Sequence, residues 1–251
     1  MQTTITYFTL TCTEDLHTFF TDMYLITAAT EFEMRPFRAA CPPWATHLEL
    51  ITGVGLLETA VRLTEYLVME SAAVTGVINF GVAGAYEAER PKGSPALLDI
   101  CLAREEVVGD LGICLDGRIE ALDEDVLPVK GHFFLDMDLL ARAKTIFAGQ
   151  GISFHSGTFV TVNCATGTTA RGRLLRDTHG GLCENMEGAA VARVCNHFAL
   201  PCLELRCVSN MVEDRDLGRW RLRRACERAG KITALLFREL FKAREQQEGS
   251  R

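Results

Sequence analysis

Ten cysteines are spread along the chain without one C-x-x-C pair, at positions 12, 41, 101, 114, 164, 183, 195, 202, 207 and 226. A zinc site usually shows at least one short ligand pair, so none is expected. Most of these thiols sit among Ile, Leu, Val and Ala, where cysteine behaves as a small apolar residue. The compartment that follows is reducing, hence cytoplasmic. Long apolar runs are missing as well: Val74 to Phe80 falls far short of the roughly 20 residues of a membrane-spanning helix. Basic clusters are also missing. Lys+Arg total 26 against 33 for Asp+Glu, a net charge of −7, which suits phosphate backbones poorly. Neither nucleic acid nor membrane is an expected partner. The P-loop, H-E-x-x-H and G-x-S-x-G signatures are absent, and Gly53-Val54-Gly55 fails as a dinucleotide fingerprint because position 58 holds Glu58. The six histidines form no spaced pair. No metal or other cofactor is expected.

What remains is ordinary globular composition, 251 residues with 48% hydrophobic and 24% charged, a length at which α/β folds often form one unit. Residues 1–22 carry scattered charges and lack the n-region and clean apolar run of a signal peptide. They are expected to be a peripheral extension, followed by one domain over 23–245 and a tail over 246–251. Strand candidates are Met23–Ala29, Leu48–Thr52, Val74–Phe80, Leu97–Ala103, Ser153–Asn163 and Pro201–Ser209. Helix candidates are Leu56–Met69, Leu135–Phe147, Met186–Phe198 and Leu217–Leu240, the first with Leu57, Val61, Leu67 and Val68 at helical spacing. Strands interleaved with amphipathic helices predict an α/β fold: a single domain with a mixed, mainly parallel central sheet flanked by helices on both faces. Ligands of such sheets bind beyond the strand carboxyl ends, which directs attention to the loops after Ala28, Thr52, Phe80, Val162 and Val208.

Two segments rise above this background: Glu184-Asn185-Met186-Glu187-Gly188-Ala189-Ala190, opening a helix, and Arg206-Cys207-Val208-Ser209-Asn210 at the end of the next strand. With Thr52–Gly55 and Asn79–Gly84 they make the chain, from about Met23 to about Leu240, resemble the purine nucleoside phosphorylase/nucleosidase superfamily, in its methylthioadenosine/S-adenosylhomocysteine nucleosidase-like branch. Within that branch the likeness runs to the futalosine hydrolases of the alternative menaquinone route. The resemblance implies that Glu187 grips the ribose 2′ and 3′ hydroxyls while Met186 packs under the sugar. A carboxylate there also stabilises the cationic ring that develops as the bond breaks. Apart from the resemblance, Glu187 reads equally well as an acid favouring a helix N-terminus.

Adenine-specific relatives carry aspartate at the place of Asn210. A 6-oxopurine presents an acceptor at O6, and the asparagine amide can donate to it while its carbonyl accepts from N7–H. Leaving a buried polar group unpaired costs about 1–3 kcal/mol, enough to select the base. Hypoxanthine or guanine is therefore expected, with Ser209 beside Asn210. Phosphorylases of this fold hold phosphate with arginines, but the first loop, Ala28–Glu33, is acidic and Asn79 and Val82 stand at the Arg and Thr positions of the second segment. Water is the expected nucleophile, with Glu33, or alternatively Glu31, as its base. The resemblance gives Arg206 the task of positioning that water; otherwise it is a buried partner of a carboxylate. Val82, Ala83 and Gly84 are expected at the substrate, and the backbone near Val160, Thr161 and Val162 at the base, with Phe159 close enough to stack. Arg215, Arg219, Arg221 and Trp220 could face a carboxylated aryl group at the far end of the substrate. The expected activity is hydrolysis of futalosine to hypoxanthine and dehypoxanthine futalosine. The alternatives are cleavage of inosine-like or methylthioadenosine-type nucleosides, and a nucleoside-binding protein without turnover. The resemblance also implies a homo-oligomer, a dimer or larger, in which a neighbour closes the pocket.

Overall fold

The computed structural model describes residues 23–70, 73–87, 94–116, 118–123, 126–127 and 129–248; the segment expected to form an N-terminal extension lies outside them. The strands are β1 (Met23–Ala28), β2 (Leu48–Ile51), β3 (Val74–Tyr86), β4 (Ile100–Val108), β5 (Ile113–Leu115), β6 (Arg118–Glu120), β7 (His132–Phe134), β8 (Phe154–Thr161), β9 (Gly181–Asn185) and β10 (Cys202–Val212). The helices are α1 (Glu31–Ala40), α2 (Leu56–Glu70), α3 (Met137–Gly149), α4 (Thr169–His179), α5 (Gly188–His197) and α6 (Leu222–Glu248). The last helix runs past the domain end expected at residue 245.

Eight strands form one sheet, in which β2, β1, β3 and β10 run parallel and β4 joins β10 antiparallel. β8 and β9 continue parallel to β4, and β9 then pairs antiparallel with the far half of β3. The sheet thus curls back on itself: β3, β10, β4, β8 and β9 close a small barrel, and β1 and β2 extend from it. The mixed, mainly parallel sheet is as expected; its closure is not visible in a list of strands.

Period-two alternation sends Ile78, Phe80, Leu203 and Leu205 to one face, against α1, α3 and α6, and Val77, Cys202 and Val208 to the other, against α2 and α5. Two expectations fail here. Phe80 and Val208 are not strand ends, because β3 continues to Tyr86 and β10 to Val212. The glycines and alanines after Phe80 read as a loop, yet they are strand residues whose small size leaves room for neighbouring side chains. In α2, Leu57, Val61 and Val68 are exposed (83%, 64% and 67%), and the buried stripe is Thr59, Leu63 and Leu67 at a spacing of four.

The sequence does not announce α1 as a helix, because Pro36 lies inside it. A capping box offsets the lost hydrogen bond: the Thr30 side chain accepts from Glu33 N, and the Glu33 side chain accepts from Thr30 N at 3.1 Å. Against this helix packs Gly230 of α6, where a Cβ would stand 2.6 Å from Phe37 N and 2.8 Å from Pro36 Cβ. Gly230→Ala gains about 1 kcal/mol of helix propensity, but overpacking costs typically about 1–3 kcal/mol and the obstacle is backbone. The substitution is expected to lower the midpoint of denaturant unfolding; a raised midpoint would show that α1 and α6 can separate at no cost.

Candidate active site

A cavity of about 350 Å³ opens where the first turn of α1, the ends of β3 and β10, and the start of α5 converge. Glu33, Val82, Ala83, Gly84, Val162, Met186, Glu187, Arg206, Ser209 and Asn210 all line it. Val160 and Thr161 do not. Val160 packs in a small apolar cluster with Leu175 and Val212. The Thr161 hydroxyl is taken up behind the cavity, donating to Glu106 Oε2 at 2.7 Å and accepting from Ala189 N at 2.8 Å. Phe159, a candidate for stacking, is fully buried in the core against α2 and α5. Alternation sends Phe159 and Thr161 to the α5 side of β8 and Val160 to the opposite side, against Leu175 and Val212, and only Val162, just past the strand end, reaches the cavity.

The acids sort by geometry. Glu31 is exposed and paired with Arg38, whereas Glu33 is 6% exposed and faces the cavity. Glu33 Oε2 accepts from Thr30 Oγ1 at 2.8 Å and Oε1 from Val82 N at 3.2 Å. Burial raises the pKa of the Glu33 carboxyl, an effect that Arg206 and the Thr30 hydrogen bond partly offset. The capping box therefore does more than start α1. It holds a buried carboxyl at the cavity wall.

Arg206, 2% exposed, is the cation at the centre. Its Nε donates to Glu204 Oε1 at 2.8 Å, and its Nη1 to Glu187 Oε2 at 3.3 Å and to Val82 O at 3.3 Å. Burial works against the charge, but Glu204, Glu187 and Glu33 together raise its pKa. Room for this group comes from Gly81, where a Cβ would lie 2.7 Å from both Arg206 Nη1 and Glu33 Oε1. Glu187 stands at the N-cap of α5 but makes no side-chain cap. Its Oε1 instead accepts from Gly55 N at 3.1 Å. Gly55 has φ +92°, a conformation glycine adopts without penalty, and that turn aims its N–H at the carboxylate.

Asn210 follows a β-bulge in β10, where pairing with β3 steps from Val208↔Ala83 to Asn210↔Gly84. Its Oδ1 accepts from Ser209 Oγ at 2.8 Å and its Nδ2 donates to Met211 O at 3.2 Å. The carbonyl of Met211 requires a donor opposite it, so the amide has one orientation. Beside it lies Glu184, the first residue of the segment noted in the sequence, to which no role was given. Glu184 Oε1 accepts from Thr166 N at 2.7 Å and Oε2 from Tyr86 Oη at 3.2 Å, and burial raises its pKa. Phe32 and Val54 also line the cavity without having been predicted. Among the four residues expected at the far end, Arg215 and Trp220 line the cavity, with the Arg215 guanidinium 5.5 Å from the Trp220 ring centroid. Arg219 pairs with Glu213, and Arg221 bonds the carbonyl of Gly218.

The chain is similar to known proteins of one superfamily. Residues 50–241 match the model of the phosphorylase superfamily. The chain is 30% identical over 190 residues to the futalosine hydrolase of Thermus thermophilus, covering 76% of this chain and 80% of that protein. It is 35% identical over 166 residues to the futalosine hydrolase of Streptomyces coelicolor, covering 64% of this chain and 66% of that one, just under two thirds. The structure of a futalosine hydrolase mutant of Helicobacter pylori superposes with a TM-score of 0.73 at 19% identity, covering 87% of this chain and 99% of that one, a likeness of fold. With three quarters of its length matched by the superfamily model, this chain belongs to the phosphorylase superfamily.

Proposed function

We propose that the chain is an N-ribosyl hydrolase that cleaves futalosine with water, releasing hypoxanthine and dehypoxanthine futalosine in the futalosine route to menaquinone. The observation that carries the reading is Asn210: an amide of fixed orientation in the same cavity as Glu33 and Glu187. Its second N–H meets purine O6, and the free lone pair of Oδ1 accepts from N7–H once the departing base takes up a proton there from solvent, which receives in turn the proton that Glu33 removes from water. Glu187 binds the ribose hydroxyls and Met186 supports the sugar. Glu33, with its raised pKa, takes a proton from water, since a base with a pKa moved toward the working pH accepts protons more effectively. Arg206 orients that water and screens the carboxylates from one another.

Water is favoured over phosphate because Arg206, the cation deepest in the cavity, is already paired with Glu204 and Glu187. A dianion placed there would face Glu33, Glu184 and Glu187. We take residues 23–245 as the nucleosidase domain. The nine described cysteines are all free thiols, which supports a cytoplasmic setting. The exposed Leu57, Val61 and Val68 on α2, beside the cavity residue Val54, support a homo-oligomer that covers this apolar face.

The test is free-base release by the purified protein from futalosine, inosine and methylthioadenosine without phosphate. Hypoxanthine from futalosine is expected fastest, and adenine release from methylthioadenosine in preference would refute the Asn210 pairing. Glu33→Gln and Glu187→Gln are each expected to lower kcat by orders of magnitude with modest loss of stability. Near-normal turnover in either removes that residue from its role. Asn210→Asp is expected to shift preference toward 6-aminopurines. Because Glu33 must be ionised to act, kcat/KM should fall as pH drops through a value above the ordinary 4.5. An acid limb at or below that value would mean another group is the base.

A further inference from the structure

Behind the cavity two more acids are buried, and the chemistry described so far uses neither. Glu106 is brought inward by a bulge in β4, where the pairing with β8 steps from Ala103↔Gly157 to Glu105↔Thr158. It is 0% exposed, and both its oxygens have donors: Asn185 Nδ2 at 2.6 Å on Oε1 and Thr161 Oγ1 at 2.7 Å on Oε2. Glu204, also 0% exposed, accepts from Arg206 Nε on Oε1, while its Oε2 is buried without a partner. The two acids meet beneath the first residue of α5. A Cβ on Gly188 would land against both Glu106 Oε1 and Glu204 Oε2, so only glycine lets the helix start there.

Two adjacent carboxylates shut away from water cannot both stay ionised, because desolvation and mutual repulsion add. An oxygen with no donor in reach, facing an oxygen that accepts, is where a carboxyl proton belongs. The other groups facing the pair offer no competing solution. From β10 come Arg206, already bonded to Glu204, and the thiol of Cys202; Cys183 comes from β9, Cys101 from β4 and Cys195 from α5. Burial raises the pKa of Cys183, contact with the Cys195 thiol and then burial raise that of Cys202, and Arg206 is shared with Glu187 and Glu33. Burial beside Glu204 likewise moves the titration of Glu106 well above the ordinary carboxyl range.

We propose that Glu106 and Glu204 share one proton, held between Glu204 Oε2 and Glu106 Oε1, and that the pair is a positioning device for the cavity. Its two outer ends hold the reacting side chains. Glu204 Oε1 fixes Arg206. Glu106 fixes the Asn185 amide, whose Oδ1 then accepts from Glu187 N at 2.9 Å and Gly188 N at 2.7 Å. Asn185 thereby caps α5 in place of the side chain of Glu187, which stays turned to the cavity. One proton lets both grips exist without a second buried negative charge.

Glu204→Gln tests this, because its carbonyl can accept from Arg206 while its amide donates to Glu106 in place of the shared proton. Its kcat is expected to remain within a few-fold of wild type. Glu204→Ala, which frees Arg206, is expected to lose on the order of 100-fold, the scale of a misplaced reacting group. Native protein that holds a proton the unfolded chain releases is destabilised as pH rises above the ordinary carboxyl pKa. The melting temperature of Glu204→Gln relative to wild type should therefore climb steadily between pH 5 and pH 9. Isotope-edited infrared spectra of glutamate-labelled wild-type protein at pH 8 should show a protonated-carboxyl C=O band that Glu204→Gln lacks. A melting difference independent of pH, wild-type spectra without any acid band, or equal rates for the Gln and Ala variants would each overturn the proposal. The thermal and spectral readings need no substrate, so they stand apart from the nucleosidase reading, which fails separately if wild type releases no base.

Discussion

Arg206 lies 2% exposed among Glu204, Glu187 and Glu33, and this buried cation is the constraint from which the cavity is built. A guanidinium taken out of water is costly unless its donors are met. Here they are met by a strand neighbour, a helix start and the carbonyl of Val82. Those partners lie on β10, α5 and β3, so one ion network ties together the three elements that carry the reacting groups. Truncating one partner to an apolar residue would strand a donor of the buried guanidinium rather than merely subtract a contact. The arrangement explains why small residues recur around it. Gly81 and Gly188 occupy points where any side chain would strike the charged groups.

The same economy applies to the first helix. Glu33 is at once the third residue of α1, the reciprocal half of its capping box and the buried acid at the cavity wall. Its position is set by backbone hydrogen bonds, and so its distance from Arg206 is not left to a flexible side chain. At the opposite end a bulge re-aims β10 where Asn210, beside Ser209, meets the cavity. Charge at one end and a neutral, oriented amide at the other suit a nucleoside whose sugar becomes cationic while its base departs.

Much of the layered fold was legible because apolar runs such as Val74–Phe80 are buried on both faces and read as strands without ambiguity. What escaped notice had polar or broken text for a physical reason. Helix α1 contains Pro36 and begins with two acids, one of them at the cavity. Strand β9 is short and carries Glu184 and Asn185, buried for hydrogen bonding rather than apolar packing. The face of α2 was misjudged because Leu57 and Val61 are more apolar than Thr59, although Thr59 is the buried one. At the cavity, the residues carried by recognisable segments (Met186, Glu187, Arg206, Ser209 and Asn210) were found together. Val160 and Thr161 were misplaced, since the direction of a side chain depends on strand register, which a single sequence does not print.

The account as a whole comes down to an amide that reads the carbonyl edge of a purine across from an acid that binds its ribose. A crystal structure of the Glu33→Gln protein with uncleaved futalosine bound would test it most directly. The predicted result places Asn210 Nδ2 against O6 and Oδ1 against N7 of the hypoxanthine, with the ribose 2′ and 3′ hydroxyls on Glu187. A purine turned so that O6 faces away from Asn210, or a ribose that leaves Glu187 untouched, would contradict it.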